Sequence, residues 1–299
     1  MAAVTRIQIR WRSAVLVVVG ICIAAVILRI AFFSAKPADV DPQAAVTSTV
    51  DLPESTLGVD SPSNEAISTA SPHALDEFLQ AAYKARDALK GVQDYSAVFD
   101  KREQVGRKLV ATKMNLKVRV EPFSVYLKFV EPKAVAGRQV VYVKGSNSNN
   151  LLVQESGYKS ILGIQPLQPT GSLAMADNRY PVTMIGLQKM LDLVIAQWEA
   201  DRMQSDVSTR IEADAKLATG ETCTVYESIV PTPRDKVQFH ITRLWIDQQT
   251  HLAVRVEQLG FPQTGESSAP VLEDYTYSNI RTNVGLSDVD FDAKKAFQP

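Results

Sequence analysis

The stretch Thr112–Pro132 limits the fold more than any other part of the chain. Met114, Leu116, Val118 and Val120 alternate with Asn115, Lys117, Arg119 and Glu121. After Glu121-Pro122, the residues Phe123, Val125, Leu127 and Phe129 resume the same period. Successive strand side chains point to opposite faces, so each run places an apolar row on one face of a sheet. Pro122 offers no N–H to a ladder and suits the turn between the runs. The central element is therefore an antiparallel hairpin, and the rest of the chain must extend it or cover it.

Further strands are expected on both sides. Tyr95–Val105 comes first, followed by Arg138–Lys144 and Leu151–Glu155, which are separated by Gly145-Ser146-Asn147-Ser148-Asn149-Asn150, a strong turn signal. Val207–Ala213, Glu221–Val230 and Val237–Asp247 follow, then a tight Asp247–Thr250 turn, a strand through Leu252, Val254 and Val256, and a last strand Val271–Ile280. Ser156–Asn178 contains Gly157, Gly163, Pro166, Pro169 and Gly171, yet also Ile161, Leu162, Ile164, Leu167 and Leu173. An apolar loop of that length is either a lid or an edge covering, with a lid over the sheet's open mouth the favoured expectation.

Two helices are expected to cover the sheet. Ser71–Lys90 has Ser71 as N-cap and Pro72 at the first helical position, with a stripe of Leu75, Phe78, Leu79, Ala82 and Leu89. Thr183–Met203 carries Met184, Leu187, Leu191, Val194 and Trp198 at spacings of three and four, widened by Met190 and Ile195. The first stripe reads as core packing; the second either packs on the sheet or lines a lipid cavity, its Met residues adapting to varied ligands. The fold class is α+β, a curved antiparallel sheet with covering helices over residues 71–299.

The N-terminal part reads differently. Residues 1–13 form a basic tail, and Ala14–Leu28 carries no charge. With Arg29 and Ile30–Phe33 the apolar segment spans residues 14–33, long enough for a hydrocarbon core of ~30 Å. Arg6, Arg10 and Arg12 precede it, which favours a cytoplasmic N-terminus and an extracytoplasmic domain. The expected place is the inner (cytoplasmic) membrane, crossed once. A cleaved signal peptide is the rival, although cleavage after Ala35 would put Phe33 at a position that prefers a small residue. Residues 34–70 hold four prolines and six acidic residues against Lys36 alone, the composition of an extended acidic linker.

Candidate chemistry is sparse. The net charge of −1 gives no reason to expect nucleic acid. Cys22 and Cys223 are the two cysteines, and Cys223 reads as a small strand residue. His73, His240 and His251 lack metal-ligand spacing. Asp288-Val289-Asp290-Phe291-Asp292 starts like a calcium loop, but Ala293 and Pro299 occupy the positions that need Gly and Glu. It reads instead as a solvated turn around a buried Phe291. Asp94, Asp100 and Glu103 offer carboxylates without a pattern that selects them. No cofactor, no metal and no catalytic set is expected, and oligomeric state is not legible.

Two groups of residues nevertheless form a familiar pattern. Arg119, Pro122, Phe123 and Tyr126 form R-x-x-P-F-x-x-Y, followed by Glu131-Pro132 and the run Val140-Val141-Tyr142-Val143. This resembles the LolA/LolB-like lipoprotein carriers. Trp245-Ile246-Asp247-x-x-Thr250, then Asp274-Tyr275-x-Tyr277-x-x-Ile280 and Asn283-Val284-Gly285-Leu286 through Phe291, resemble the bacterial domain of unknown function 1571. The resemblance implies a half-open barrel with an apolar cavity for acyl chains. Arg119, Phe123 and Tyr126 of that pattern, with Met184, Leu187, Leu191 and Trp198 of the second helix, are the candidate ligand-binding residues. The carriers' rim arginine is followed directly by proline, whereas Val120 and Glu121 intervene here. The functional expectation is a membrane-anchored, non-enzymatic domain binding a lipid or lipoprotein. The alternative is a structural or protein-interaction module of the envelope with a closed core.

Overall fold

The computed structural model describes residues 73–263, 265 and 268–297. The apolar segment 14–33, the linker 34–70, Cys22, and the expected cap Ser71-Pro72 lie outside the described residues. Among the described residues no helix is long and apolar enough to cross a membrane.

Among the described residues eleven antiparallel strands form one sheet, in the order β6-β5-β4-β3-β2-β1-β11-β10-β9-β8-β7. β1 (Asp94–Val105), β2 (Lys108–Arg119), β3 (Ser124–Glu131), β4 (Gln139–Val143), β5 (Leu151–Gln154) and β6 (Ile164–Leu167) run outward to one edge. A crossover then carries the chain to the opposite edge. From there β7 (Ser208–Lys216), β8 (Thr222–Ile229), β9 (Ile241–Asp247), β10 (Ala253–Leu259) and β11 (Val271–Thr282) return to pair with β1. The sheet does not close: β6 and β7 are its edges. β6 is short and holds Pro166; β7 carries Arg210, Glu212 and Lys216 and is kinked between Glu212 and Ala215. Both are familiar protections against unwanted strand pairing. Register shifts at Ser96/Val98, Lys113/Met114 and Ala253/Arg255 bend the sheet, because an extra residue on one strand increases local twist.

The central hairpin is as the alternation requires. Leu116 pairs with Leu127 and Val118 with Val125, so both apolar rows share a face. Helix α1 (Asp76–Ala88) buries Phe78, Leu79, Ala82 and Ala85 in the same core, where it meets β10 and the later helix Leu187–Asp201. It begins five residues after Ser71, where the His73 N–H donates to Asp76 Oδ2 at 2.9 Å. The apolar connection is not a bare loop. It holds a 3-10 turn (Gly157–Leu162), the edge strand β6 and a short helix α2 (Ser172–Met175).

Helix α3 (Leu187–Asp201) is shorter than the apolar stripe suggests. Val182–Met184 forms a separate 3-10 turn, and Gly186 sits at φ 121°. A Cβ there would lie 2.8 Å from the Tyr95 hydroxyl, so only glycine fits. Tyr95 and Tyr277 use that closeness. Their hydroxyls accept from Leu187 N–H (2.9 Å) and Gly186 N–H (3.2 Å), satisfying orphan donors at the helix start. At the other end Trp198 is wholly buried, its ring 5.3 Å from Phe78 and its Nε1 donating to Ser228 Oγ at 2.9 Å.

A smaller core lies on the opposite face. The 3-10 turn Asp288–Phe291 and helix α4 (Ala293–Ala296) place Phe291, Ala293 and Phe297 against Tyr126 and Val141. The calcium-like motif is thus a turn around a buried Phe291, closed by a Ser287/Asp290 capping box. Asp94 anchors the segment leading to it, its carboxylate accepting from the N–H groups of Val284 (2.7 Å), Gly285 (3.2 Å) and Leu286 (3.1 Å). Asp94→Ala leaves three backbone donors without that acceptor, an expected loss of about 1–3 kcal/mol. Amide exchange at residues 284–286 should rise first. Protection unchanged there would show that the carboxylate is not the anchor.

Candidate functional site

Toward β8, the core beside α3 is filled by Trp198, Phe78 and Tyr226. Over β1 to β6 a cavity of about 230 Å³ remains. Its floor is Phe99, Met114, Leu127, Phe129 and Val140 of the central strands, continued by Leu151, Val153 and Leu167. Met184, Ile185, Met190 and Leu193 form the roof. Leu173 and Ala174 of α2 lie across the opening. Arg138 and Glu155 stand at the mouth, paired at 3.0 Å, with the Arg138 guanidinium 5.4 Å from the Phe129 ring.

One end of the cavity is charged. Tyr95, Ala97, Phe99, Lys101 and Glu103 share the inward face of β1, so an apolar row ends in a Lys and a Glu. Glu103 lies directly across from Glu273 of β11, and both are almost fully buried. Like charges opposite one another destabilise a sheet, so other groups must compensate. Lys101 Nζ donates to Glu103 Oε2 at 2.9 Å and also to Asn178 Oδ1. Tyr275 OH donates to Glu103 Oε1 at 2.6 Å, and Arg179 N–H to Glu103 Oε2 at 3.0 Å. Arg179 Nε and Tyr180 OH reach Glu273 Oε1 at 2.8 and 2.9 Å. Burial raises the Glu273 pKa above the ordinary carboxylate value, against the opposing pull of Arg179 and Tyr180. Burial, then the nearby carboxylates, raise the Tyr180 and Tyr275 hydroxyls, which stay protonated as donors. The cluster ties residues 178–180, and with them the cover of the cavity, to the centre of the sheet. Its polar groups bind one another, an arrangement suited to holding structure.

The three carboxylates offered by the sequence go to three places. Asp94 anchors the C-terminal segment, Asp100 faces Lys113 at 3.5 Å on the outer side, and only Glu103 touches the cavity. The candidate ligand residues also separate. Met184 lines the cavity. Leu187, Leu191 and Trp198 are buried in the packed core, and Phe123 packs against its margin, 6.2 Å from Tyr142. Tyr126 belongs to the opposite core and donates to Gln139 Oε1 at 2.6 Å. Arg119 lies on that face too: it reaches Asp288 at 2.7 Å and Ser124 at 3.0 Å and stacks 5.0 Å from Phe291. It forms a structural pair with the C-terminal turn. Lys101, Arg179 and Tyr180 were not singled out from the sequence. For Lys101 the signal was present, since it falls on the same alternation as Phe99.

Cys223 is buried, and its thiol is pushed up to about 11, chiefly by burial, which opposes reactivity. Among the described residues no three of His, Cys, Asp or Glu converge as metal ligands.

Fold and site together define an open antiparallel sheet with a helix-roofed apolar cavity. The chain belongs to the family described as protein of unknown function DUF1571, whose model matches residues 92–296. No curated protein matches it. Solved structures similar to it include lipoprotein LppX of Mycobacterium tuberculosis (18% identity, TM-score 0.41, 71% of this chain and 98% of that one). A putative outer membrane lipoprotein-sorting protein domain from Vibrio parahaemolyticus is similar at 14% identity and TM-score 0.36, over 74% and 98% of the two chains. A DUF1329 family protein from Desulfovibrio piger is similar at 14% identity and TM-score 0.36, over 76% and 100%. These likenesses are distant, so the chemistry of this chain has to be read from its own side chains.

Proposed function

We propose that this chain is a membrane-anchored, extracytoplasmic, non-enzymatic domain that takes an acyl chain of a lipid or lipoprotein into its cavity. The observation that carries the reading is the apolar hollow between sheet and α3, floored by aromatic and aliphatic residues and roofed by Met184 and Met190. The span 14–33 would anchor it in the cytoplasmic membrane, with residues 34–70 as tether.

Size limits the ligand. An apolar cavity of roughly 150 Å³ takes one benzene, so about 230 Å³ suits one chain of modest length. It does not suit the several chains of a whole lipoprotein anchor unless the cover moves. Burial offers about 0.8 kcal/mol per methylene. About ten methylenes would therefore supply about 8 kcal/mol, the free energy of a micromolar complex before ordering costs. The rival reading, an envelope interaction module, requires a closed core, and the hollow beside α3 over β1–β6 speaks against it.

Val153→Phe tests the proposal, because its ring would occupy the hollow. Native mass spectrometry of the wild-type chain should show bound lipid, and a fluorescent fatty acid should compete with it. The variant should lose affinity by about tenfold or more without a lower melting temperature, since it fills space that is already empty. A wild-type chain that binds neither ligand, or a variant that binds as well as wild type, ends the reading.

A further inference from the structure

Beside the cavity mouth lie apolar side chains that no described residue covers. Tyr158 and Ile161 are 86% and 89% exposed, and Leu162 and Leu173 are 60% and 75% exposed. Tyr158, Ile161 and Leu162 lie on the 3-10 turn that follows the mouth residue Glu155, and Leu173 lines the opening itself. Between Glu155 and Asp177 the only charged residue is Lys159. Scattered surface leucines need no explanation, but a concentration of exposed apolar residues beside a cavity mouth does.

We propose that this rim docks on a lipid bilayer, with Tyr158, Ile161, Leu162 and Leu173 entering the headgroup region and Lys159 meeting lipid phosphate. The exposures decide between a membrane and a protein partner. Tyr158 and Ile161 stand almost clear of their own chain and are not sunk in a groove with which a second protein surface would interlock. A tyrosine and a lysine set among aliphatic residues are the types that settle at a membrane interface. The chain length also allows it: 39 residues separate the proposed span 14–33 from His73, and the fullest reach of that many residues is about 130 Å. The proposal deepens the acyl-binding reading by naming where the lipid enters, and it rests on that reading for the route.

The test uses the full chain in phosphatidylcholine vesicles whose acyl chains carry a photoactivatable group, with labelled peptides mapped by mass spectrometry. Labelling is expected at Tyr158–Leu162 and Leu173 as well as in the N-terminal segment. Ile161→Lys with Leu162→Lys should lower labelling at Tyr158 and Leu173 by about fivefold or more and leave N-terminal labelling unchanged. Labelling confined to the N-terminal segment overturns the proposal. Labelled cavity peptides with an unlabelled rim also overturn it while sparing the acyl-binding reading. A labelled rim with unlabelled cavity peptides supports docking and counts against that reading instead.

Discussion

Arg179→Met is expected to destabilise the protein by about 3–5 kcal/mol at neutral pH, the usual cost of removing one partner from a buried ion pair. The native margin of a domain is only about 5–15 kcal/mol, so the variant should sit close to unfolding. The size follows from what remains. Glu103 and Glu273 face each other across β1 and β11, and Arg179 serves both, through its guanidinium and its N–H. The methionine keeps the N–H and most of the bulk but leaves Glu273 buried with no cation beside it. The pH dependence has a definite sign. The Glu273 pKa is raised in the folded state by burial, so the stability linked to its neutral form is present below the ordinary carboxylate pKa. That stability is lost as pH rises through the folded value. Without Arg179 the folded value climbs further, so the deficit should shrink as pH falls from 7 toward about 5. Urea midpoints at both pH values measure this. Arg179→Met combined with Glu273→Gln should recover most of the loss, because charge and counter-charge leave together. A single variant as stable as wild type would show that the cluster is not what holds the cavity cover.

The visible and hidden parts of the fold differ in length and period. The β2–β3 hairpin, α1 and α3 are long enough to repeat their apolar spacing, so the sequence displays them. The alternation also put Arg119 on the side away from its strand's apolar row, where it meets Asp288. β6 has four residues, one of them Pro166, too few to show a period inside a loop-like stretch. The turn at Asp288–Phe291 was legible as a turn around a buried Phe291, but α2 and α4 have four residues each, too few to show that Phe291 and Phe297 build a second core with Tyr126. The charged cluster was hidden for another reason. Lys101 and Glu103 share a face with Phe99, but charges on a strand read naturally as solvent-facing. Their partners Asn178, Arg179 and Tyr180 lie in a distant segment with no period of its own, and only the crossover brings them together. Leu187, Leu191 and Trp198 show the converse: a helical stripe tells which side is buried, not whether the space beyond it is filled.

That last distinction gives Trp198→Ala its interest. Loss of the ring should cost about 3–5 kcal/mol, because the side chain is wholly buried against Phe78 and holds Ser228. Trp198→Phe keeps most of the packing and strands the Ser228 hydroxyl, an expected cost of about 1–3 kcal/mol. Equal losses in the two variants would mean that the hydrogen bond, not the ring, seats the helix. The consequence reaches the cavity. Met190 and Leu193, its roof, lie between Leu187 and Trp198 on α3. A helix held at its start by the Tyr95 and Tyr277 hydroxyls and near its end by Trp198 can bridge a gap in the core without sinking into it. With the second hold removed, α3 is free to settle onto Met114 and Leu127. Trp198→Ala should therefore lose acyl binding even under conditions where it stays folded, whereas Trp198→Phe should keep it. If the alanine variant remained folded and bound a fatty acid as tightly as wild type, the hollow would not depend on a helix pinned at both ends.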